Sequence, residues 1–374
     1  MSHYRPLTTI TFFHNFVRFL VFPILAGYGL QLKNSTPEML GVIVGVFGLT
    51  QAIMLIPMAK LAKSKGVKAS LAFGFIVFAV GSVLAAMAES VQGLAVGRAV
   101  AGAGAVSSVL QIVMSQAPHT AKKLPKYTKV TLFAFAIAMM LSVQMFWGLG
   151  GGQQVFLFIA AIGLLSMLLA LLANVDPDNA LANFNGKFSG GNAIVNLSAF
   201  FAYAIFAGTF VVLPINIILV HGVPPIIQIP VYIIAVVIAW LLYLVDMKIV
   251  KSRNLHRSFT LVAIVLTAVA MLLLSQLQYG PQFVLLPLIL LFFAMMMVES
   301  INGLYISQLC KPEDQAGARI MNSVFQFAGV FVGAIAASQV YAHSASKGMF
   351  IDLAIIAAVW LLVSFKLPKL PAKA

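Results

Sequence analysis

Lys63-Ser64-Lys65-Gly66-Val67-Lys68-Ala69-Ser70 returns as Lys251-Ser252-Arg253-Asn254-Leu255-His256-Arg257-Ser258, 188 residues further along a chain of 374. Each copy is a short basic loop held between two long apolar runs, so the repeated object reads as half of a membrane domain written twice. Composition points the same way. Of the residues, 61% are hydrophobic and 9% charged, and the mean hydropathy of +1.03 lies far outside the soluble range. The net charge of +14 does not indicate nucleic acid, because the basic residues punctuate apolar segments instead of clustering on a polar surface. The single cysteine, Cys310, excludes an intrachain disulfide, and no Cys/His cluster has metal-site spacing; neither a metal nor another cofactor is expected.

A membrane-crossing helix needs about 20 mostly apolar residues. Twelve such segments are expected, at 8–31, 38–61, 69–88, 92–116, 128–149, 153–174, 193–220, 224–247, 258–277, 282–309, 316–341 and 348–366. The polar stretch from Asp176-Pro177-Asp178-Asn179 to Gly190-Gly191-Asn192 divides them six and six. The fold class is therefore an all-α membrane protein of twelve transmembrane helices. Two pseudo-symmetric six-helix bundles, 1–174 and 193–374, are joined by a cytoplasmic linker, 175–192. The first apolar run carries Arg18 and lacks a persuasive cleavage site, so it reads as a span and not as a signal peptide.

Orientation follows from the Lys and Arg of the short loops. One set of loops and span ends holds nineteen of the 23: Arg5, Lys60, Lys63, Lys65, Lys68, Lys122, Lys123, Lys126, Lys129, Lys187, Lys248, Lys251, Arg253, Arg257, Lys311, Arg319, Lys366, Lys369 and Lys373. The opposite set holds Lys33 and Lys347, while Arg18 and Arg98 lie within spans. Both termini are expected in the cytoplasm, in the inner membrane of a bacterium, with the protein a monomer in the lipid bilayer.

Ionisable groups within the hydrocarbon are costly unless paired or solvated, which makes them functional candidates. Arg18, Arg98 and Glu299 qualify, on spans one, four and ten, which are equivalent positions in two repeated halves. His14 stands a turn before Arg18 with Asn15 beside it, and Asn302 a turn after Glu299. Tyr203 in span seven and Asn322 with Gln326 in span eleven carry lower weight, since polar residues in spans also tie helices together. A shared polar cavity with two arginines against one carboxylate favours an anionic or zwitterionic small-molecule substrate, with protons as a coupled ion through Glu299. Seventeen methionines, among them Met54, Met58 and Met295 to Met297, leave copper import as a minor reading.

In its motifs the chain resembles the major facilitator superfamily, and within it the YajR-like group of drug and proton antiporters. The likeness lies in Val21-Phe22-Pro23-Ile24-Leu25 with Tyr28-Gly29, Gly48-Leu49-Thr50-Gln51-Ala52 with Ile56-Pro57, and Gly97-Arg98 with Gly102 and Gly104. It continues in Phe135-Ala136-Ile137-Ala138-Met139, Glu299, and Gln326-Phe327-Ala328-Gly329 with Gly333. The resemblance covers nearly the whole chain. It implies two six-helix halves around a cavity lined by spans one, four, seven and ten, glycines at 102 and 104 for close helix contact, and a proton-coupling role for Arg98.

Two departures stand beside this likeness. The family's loop pattern Gly-x-x-x-Asp-Arg-x-Gly-Arg-Lys falls on Ala59 to Lys68, with Lys63 in place of the aspartate and Ser64 in place of the arginine; only Gly66 and Lys68 remain. In the family that aspartate faces the amino end of helix eleven. Here Glu313 and Asp314 occupy that end, where they satisfy the helix dipole, and an exchanged attraction to Lys63 or Lys65 is expected. In span five the antiporter signature's Gly-Pro is replaced by Ser142-Val143.

The reading is a secondary active transporter that exports a small solute by rocking one half against the other. No nucleotide motif is present and no enzymatic chemistry has support. The alternative is a transport-inactive sensor, assembly factor or subunit of a membrane complex, motivated by the altered signatures.

Overall fold

The structure, a computed structural model, describes residues 5–115, 124–173, 181, 184–188, 192–253, 255–277 and 280–370. The linker residues Asp176 to Asn179 and Gly190-Gly191, and Lys122, Lys123, Asn254 and Lys373, lie outside them, as do the side chains of Lys248, Lys251 and Arg253. Hydrocarbon offers no water to backbone groups, so each span closes its own hydrogen bonds as a helix. The helices are α1 (Arg5–Leu20), α2 (Phe22–Gly29), α3 (Pro37–Lys65), α4 (Val67–Ala86), α5 (Val91–Ala103), α6 (Val106–Ser115), α7 (Lys126–Leu149), α8 (Gly152–Leu172), α9 (Ala193–Ile215), α10 (Pro225–Arg253), α11 (His256–Leu274), α12 (Leu285–Leu309) and α13 (Pro312–Ser364).

Counted as spans these give twelve. Ten segments are long and apolar enough to cross, α5 with α6 being one of them, and α1 with α2, bent by 41°, makes an eleventh. The 53 residues of α13 would reach about 80 Å if straight, against a hydrocarbon core of about 30 Å. Ala345, at φ 55° and ψ −172°, breaks it. Asn322 donates to Asn196 at 3.1 Å and Trp360 to Ser198 at 3.0 Å. Positions so distant along α13 can meet the same turn of α9 only if the chain folds back at Ala345, so α13 contains spans eleven and twelve.

The bend of span one has a local cause. Pro23 has no N–H to give, and the amides of Ile24 and Leu25 both turn to the Val21 carbonyl. That frees the Leu20 carbonyl, which accepts the Ser142 hydroxyl of α7 at 2.6 Å. The residue that replaces the antiporter-type Gly-Pro is thus the one that satisfies the broken helix.

α1 packs on α7 and α8, α4 on α5 and α8, and α3 on α5; later in the chain α9 packs on α13, α11 on α12 and α13, and α10 on α12. The two groups meet along α3 with α13, α7 with α10, and α2 with α9. Glycines set the closest of these contacts. A Cβ on Gly41 would collide with the Ser338 hydroxyl and lie 2.6 Å from the Ala334 carbonyl, and one on Gly48 would lie 2.6 Å from the Phe327 carbonyl. On the face opposite the termini, Lys33 and Glu89 form an ion pair of 2.8 Å, the only one among the described residues. This contact holds the Lys33 amine above its ordinary pKa and the Glu89 carboxyl below its own.

Candidate functional site

Glu299, just past the middle of α12, is the centre of a hydrogen-bonded network that joins both groups of helices. Its carboxylate accepts from the Tyr203 hydroxyl of α9 at 3.3 Å and from the Gln326 amide of α13 at 3.0 Å. Gln326 also donates to Asn322 at 3.3 Å, and Asn322 donates to Asn196. Ser323 contacts Gln326 at 3.5 Å and accepts from Gln111 of α6 at 2.6 Å; Gln111 reaches Tyr127 of α7 at 3.4 Å. Most polar atoms of this network are held by another, as a low-dielectric interior favours; the Gln111 side-chain oxygen is buried without a partner among the described residues.

A cavity of about 10 Å³ borders Glu299, with room for about one water molecule. Phe19, Phe135, Met295, Met296, Thr131 and Tyr203 complete most of its wall, which draws on spans one, five, seven and ten. Toward the face opposite the termini the centre is filled with phenylalanine rings. Phe19 meets Phe135 at 5.0 Å between centroids, Phe22 meets Phe206 at 5.1 Å, and Phe210 stacks on Phe292 at 6.2 Å. Toward the termini, Gln111–Ser323 and the approach of Thr128 to Gly303 close the gap between the groups. The arrangement is occluded. Two larger cavities, of about 390 and 340 Å³, lie near the opposite face with Gln228 in the wall of both.

The two arginines expected beside Glu299 go to different places. Arg18 is buried with its guanidinium 4.3 Å from the Phe19 ring centre and 5.1 Å from that of Phe327, and its charge acts on Glu299 without an ion pair. Arg98 does not join the cavity. It donates to the Ile43 carbonyl at 3.4 Å and covers Phe47 at 4.5 Å, so its partners are α3. His14 is likewise turned from the cavity: its ring meets Phe75 and Phe78 of α4 at 6.2 and 6.0 Å, and among the described residues neither ring nitrogen has a partner. Helical spacing placed His14 and Arg18 on one face, but that face is wide enough to touch α4 with one and α13 with the other. Asn15 bonds back to the Thr11 carbonyl at 2.8 Å, and Asn302 is buried with its amide nitrogen unpartnered. Gly102 abuts Thr50 and the Phe47 carbonyl, and Gly104 the Gly74 carbonyl, within 2.6 Å of where a Cβ would stand.

Arg319, expected among the loop and span-end cations, is instead buried within the protein. It is 6% exposed and donates to the Ser307 hydroxyl of α12 at 3.0 Å, with Glu299 and Tyr127 among its electrostatic neighbours. Gln315, Arg319, Asn322 and Gln326 are spaced by four, three and four residues, one face of a helix. That stripe was the available signal.

At the cytoplasmic end of the expected topology, Lys63 does not pair with Asp314. Lys63 donates to the Asn185 carbonyl at 3.0 Å, and the Asn185 amide donates to Asp314 at 2.6 Å. Asn185 of the linker thus stands between the last turn of α3 and the start of α13. Asn185 also accepts from Lys187 N at 2.8 Å, and the Lys187 carbonyl abuts Gly317. Gly66 ends α3 at φ 88°, Lys68 donates to the Leu171 carbonyl at 3.3 Å, and Glu313 lies in the first turn of α13. Asn185→Ala removes two hydrogen bonds of about 0.5–1.5 kcal/mol each. Amide hydrogen exchange over 312–320 is expected to quicken several-fold; unchanged exchange would show that Asn185 does not hold this end of α13.

Among the described residues, twelve apolar spans in two packed groups, closed around a buried polar network, define a multi-pass membrane protein of the transporter class. The Major Facilitator Superfamily model matches residues 7–318, and the chain belongs to that family. It is 26% identical to the inner membrane transport protein YajR of Escherichia coli (strain K12), over 94% of this chain and 80% of that protein. To an uncharacterized transporter of Buchnera aphidicola it is 24% identical, over 93% and 92%. Among solved structures, the human organic anion transporter MFSD10 superposes with a TM-score of 0.73 at 12% identity, over 96% of this chain and 99% of that one. The proton:xylose symporter XylE gives 0.70 at 13% identity, over 98% and 96%. These two likenesses concern the fold.

Proposed function

We propose that this membrane transporter is a proton-coupled secondary transporter that exports an anionic or zwitterionic amphipathic solute by alternating access. Its halves are 1–174 and 193–374, its termini are cytoplasmic, and its location is a bacterial inner membrane, as for the Escherichia coli relative. The observation that carries the reading is the position of Glu299. It is a carboxylate at mid-span, bonded to Tyr203 and Gln326 on two other spans and bordering the central cavity. A group so placed changes its hydrogen bonds when it gains or loses a proton, and its partners lie on helices that must move for the cavity to open. The apolar wall of Phe19, Phe135, Met295 and Met296 suits a hydrophobic body. Arg18 and Arg319, both acting on Glu299, favour a negative group on the solute. The outward direction follows from the family resemblance.

The test is uptake and efflux of a mixed panel of labelled amphipathic acids, zwitterions and amines in proteoliposomes. Flux of acids or zwitterions that depends on a pH gradient is expected. No flux of any member, with a stoichiometric partner protein retained through purification, would favour an accessory subunit instead.

A further inference from the structure

Arg18, Arg98 and Arg319 are all 6% exposed or less, and among the described residues none has a carboxylate within 4 Å. Arg18 is covered by two phenyl rings and Arg98 by one ring and a carbonyl. Arg319 differs. A guanidinium has five N–H donors, and among the described residues the one hydrogen bond that Arg319 makes is to the Ser307 hydroxyl, with no aromatic ring over its face. A positive charge buried within protein in a membrane is costly unless it is paired or solvated, and a neutral hydroxyl does not neutralise it. A residue that served only to tie α12 to α13 would need no charge for a contact with Ser307; a neutral amide would make it.

Its setting gives the charge a use. Gln315 fixes the corner beside it by donating to the Ser307 and Cys310 carbonyls at 3.2 and 3.4 Å. From Arg319 the stripe runs through Asn322 to Gln326, seven residues or about 10 Å along the helix, and Gln326 holds Glu299. The guanidinium therefore stands between the α13 amino end and the central cavity, at the end of a continuous polar face.

Resting on the transport reading above, we propose that Arg319 is a binding station for the anionic group of the solute. It receives a carboxylate or sulfonate on its unfilled N–H donors, while the apolar body occupies the Phe19–Phe135–Met295–Met296 cavity as the halves part. A planar guanidinium pairs with such groups through two parallel hydrogen bonds. The station is separate from Glu299, which carries the proton.

Binding measured without any transport step separates this inference from the transport reading. Purified protein in detergent is titrated with 2-naphthalenesulfonate, and with 2-naphthalenemethanol and 2-naphthylmethylammonium as neutral and cationic isosteres, following thermal unfolding. The sulfonate is expected to raise the unfolding temperature more than either isostere. Arg319→Gln should weaken sulfonate binding about tenfold, or 1.4 kcal/mol, and leave the neutral isostere unchanged. Arg319→Lys, which keeps the charge in case the glutamine variant fails to fold, should retain a preference for the sulfonate. Three results would overturn the proposal: no sulfonate preference in the unmodified protein, loss of sulfonate and neutral binding in equal measure in Arg319→Gln, or loss of the preference in Arg319→Lys.

Discussion

Glu299→Gln is expected to abolish the dependence of transport on a pH gradient while leaving a folded, solute-binding protein. The glutamine keeps the shape of the carboxyl and can still accept from Tyr203 and Gln326 through its carbonyl, so the network closes around it. What it loses is the exchange of a proton. The variant is therefore expected to exchange labelled for unlabelled solute between equal pools, and to fail to concentrate solute when a pH gradient is imposed. The measurement is both fluxes in the same proteoliposome preparation. Retained accumulation in Glu299→Gln would remove this carboxyl from the coupling mechanism. The effect is expected to be large because, of the carboxylates in the described residues, Glu299 alone is engaged at the meeting of α9, α12 and α13.

Gly41→Leu is expected to stop turnover by a different route. Gly41 faces Ser338 and Ala334 at the end of the α3–α13 contact that lies opposite the termini, and even a methyl group there would overlap the Ala334 carbonyl. Backbone cannot yield as a flexible side chain can. A leucine must push α3 from α13, at a typical overpacking cost of about 1–3 kcal/mol. That cost falls only on conformations in which these helices touch, so the equilibrium moves toward a state open on that face. Spin labels on the ends of α3 and α13 should report a longer distance, and transport should fall to background. Normal distances with normal transport would show that this contact is not part of the cycle.

These two sites also show what could be read in the chain itself. Spans were legible because membrane helices carry their signal in simple hydropathy, and the twelve expected segments match the helices to within a few residues at most ends. Even the fold-back inside α13 was foreseeable, since Tyr341 to Lys347 is too polar to continue a span. Glu299 stood out as a carboxylate in an apolar run. Arg319 did not, because seven residues from Pro312 it resembles one more loop cation; only its register with Gln315, Asn322 and Gln326 betrays a buried face. His14 and Arg98 were legible only as far as their burial. A charged or polar residue in a span announces that it must face protein, but not which neighbour, and both turned to helices of their own half. The phenylalanine packing around Phe135, Phe206 and Phe292 was illegible, since 29 phenylalanines give no contrast in an apolar sequence. The linker's part between Lys63 and Asp314 needed the tertiary structure, because nothing in Asn185 itself indicates a bridge.

On the proposed mechanism, Glu299 links proton movement to solute movement through a closed cavity. The most direct test of this link is to load proteoliposomes with a pH-sensitive dye, impose a solute gradient with no pH gradient, and follow the internal pH as the solute flows. Proton movement that begins with the addition of solute, and is absent in Glu299→Gln, is the predicted result. Solute flow without any change of internal pH in the unmodified protein would contradict it.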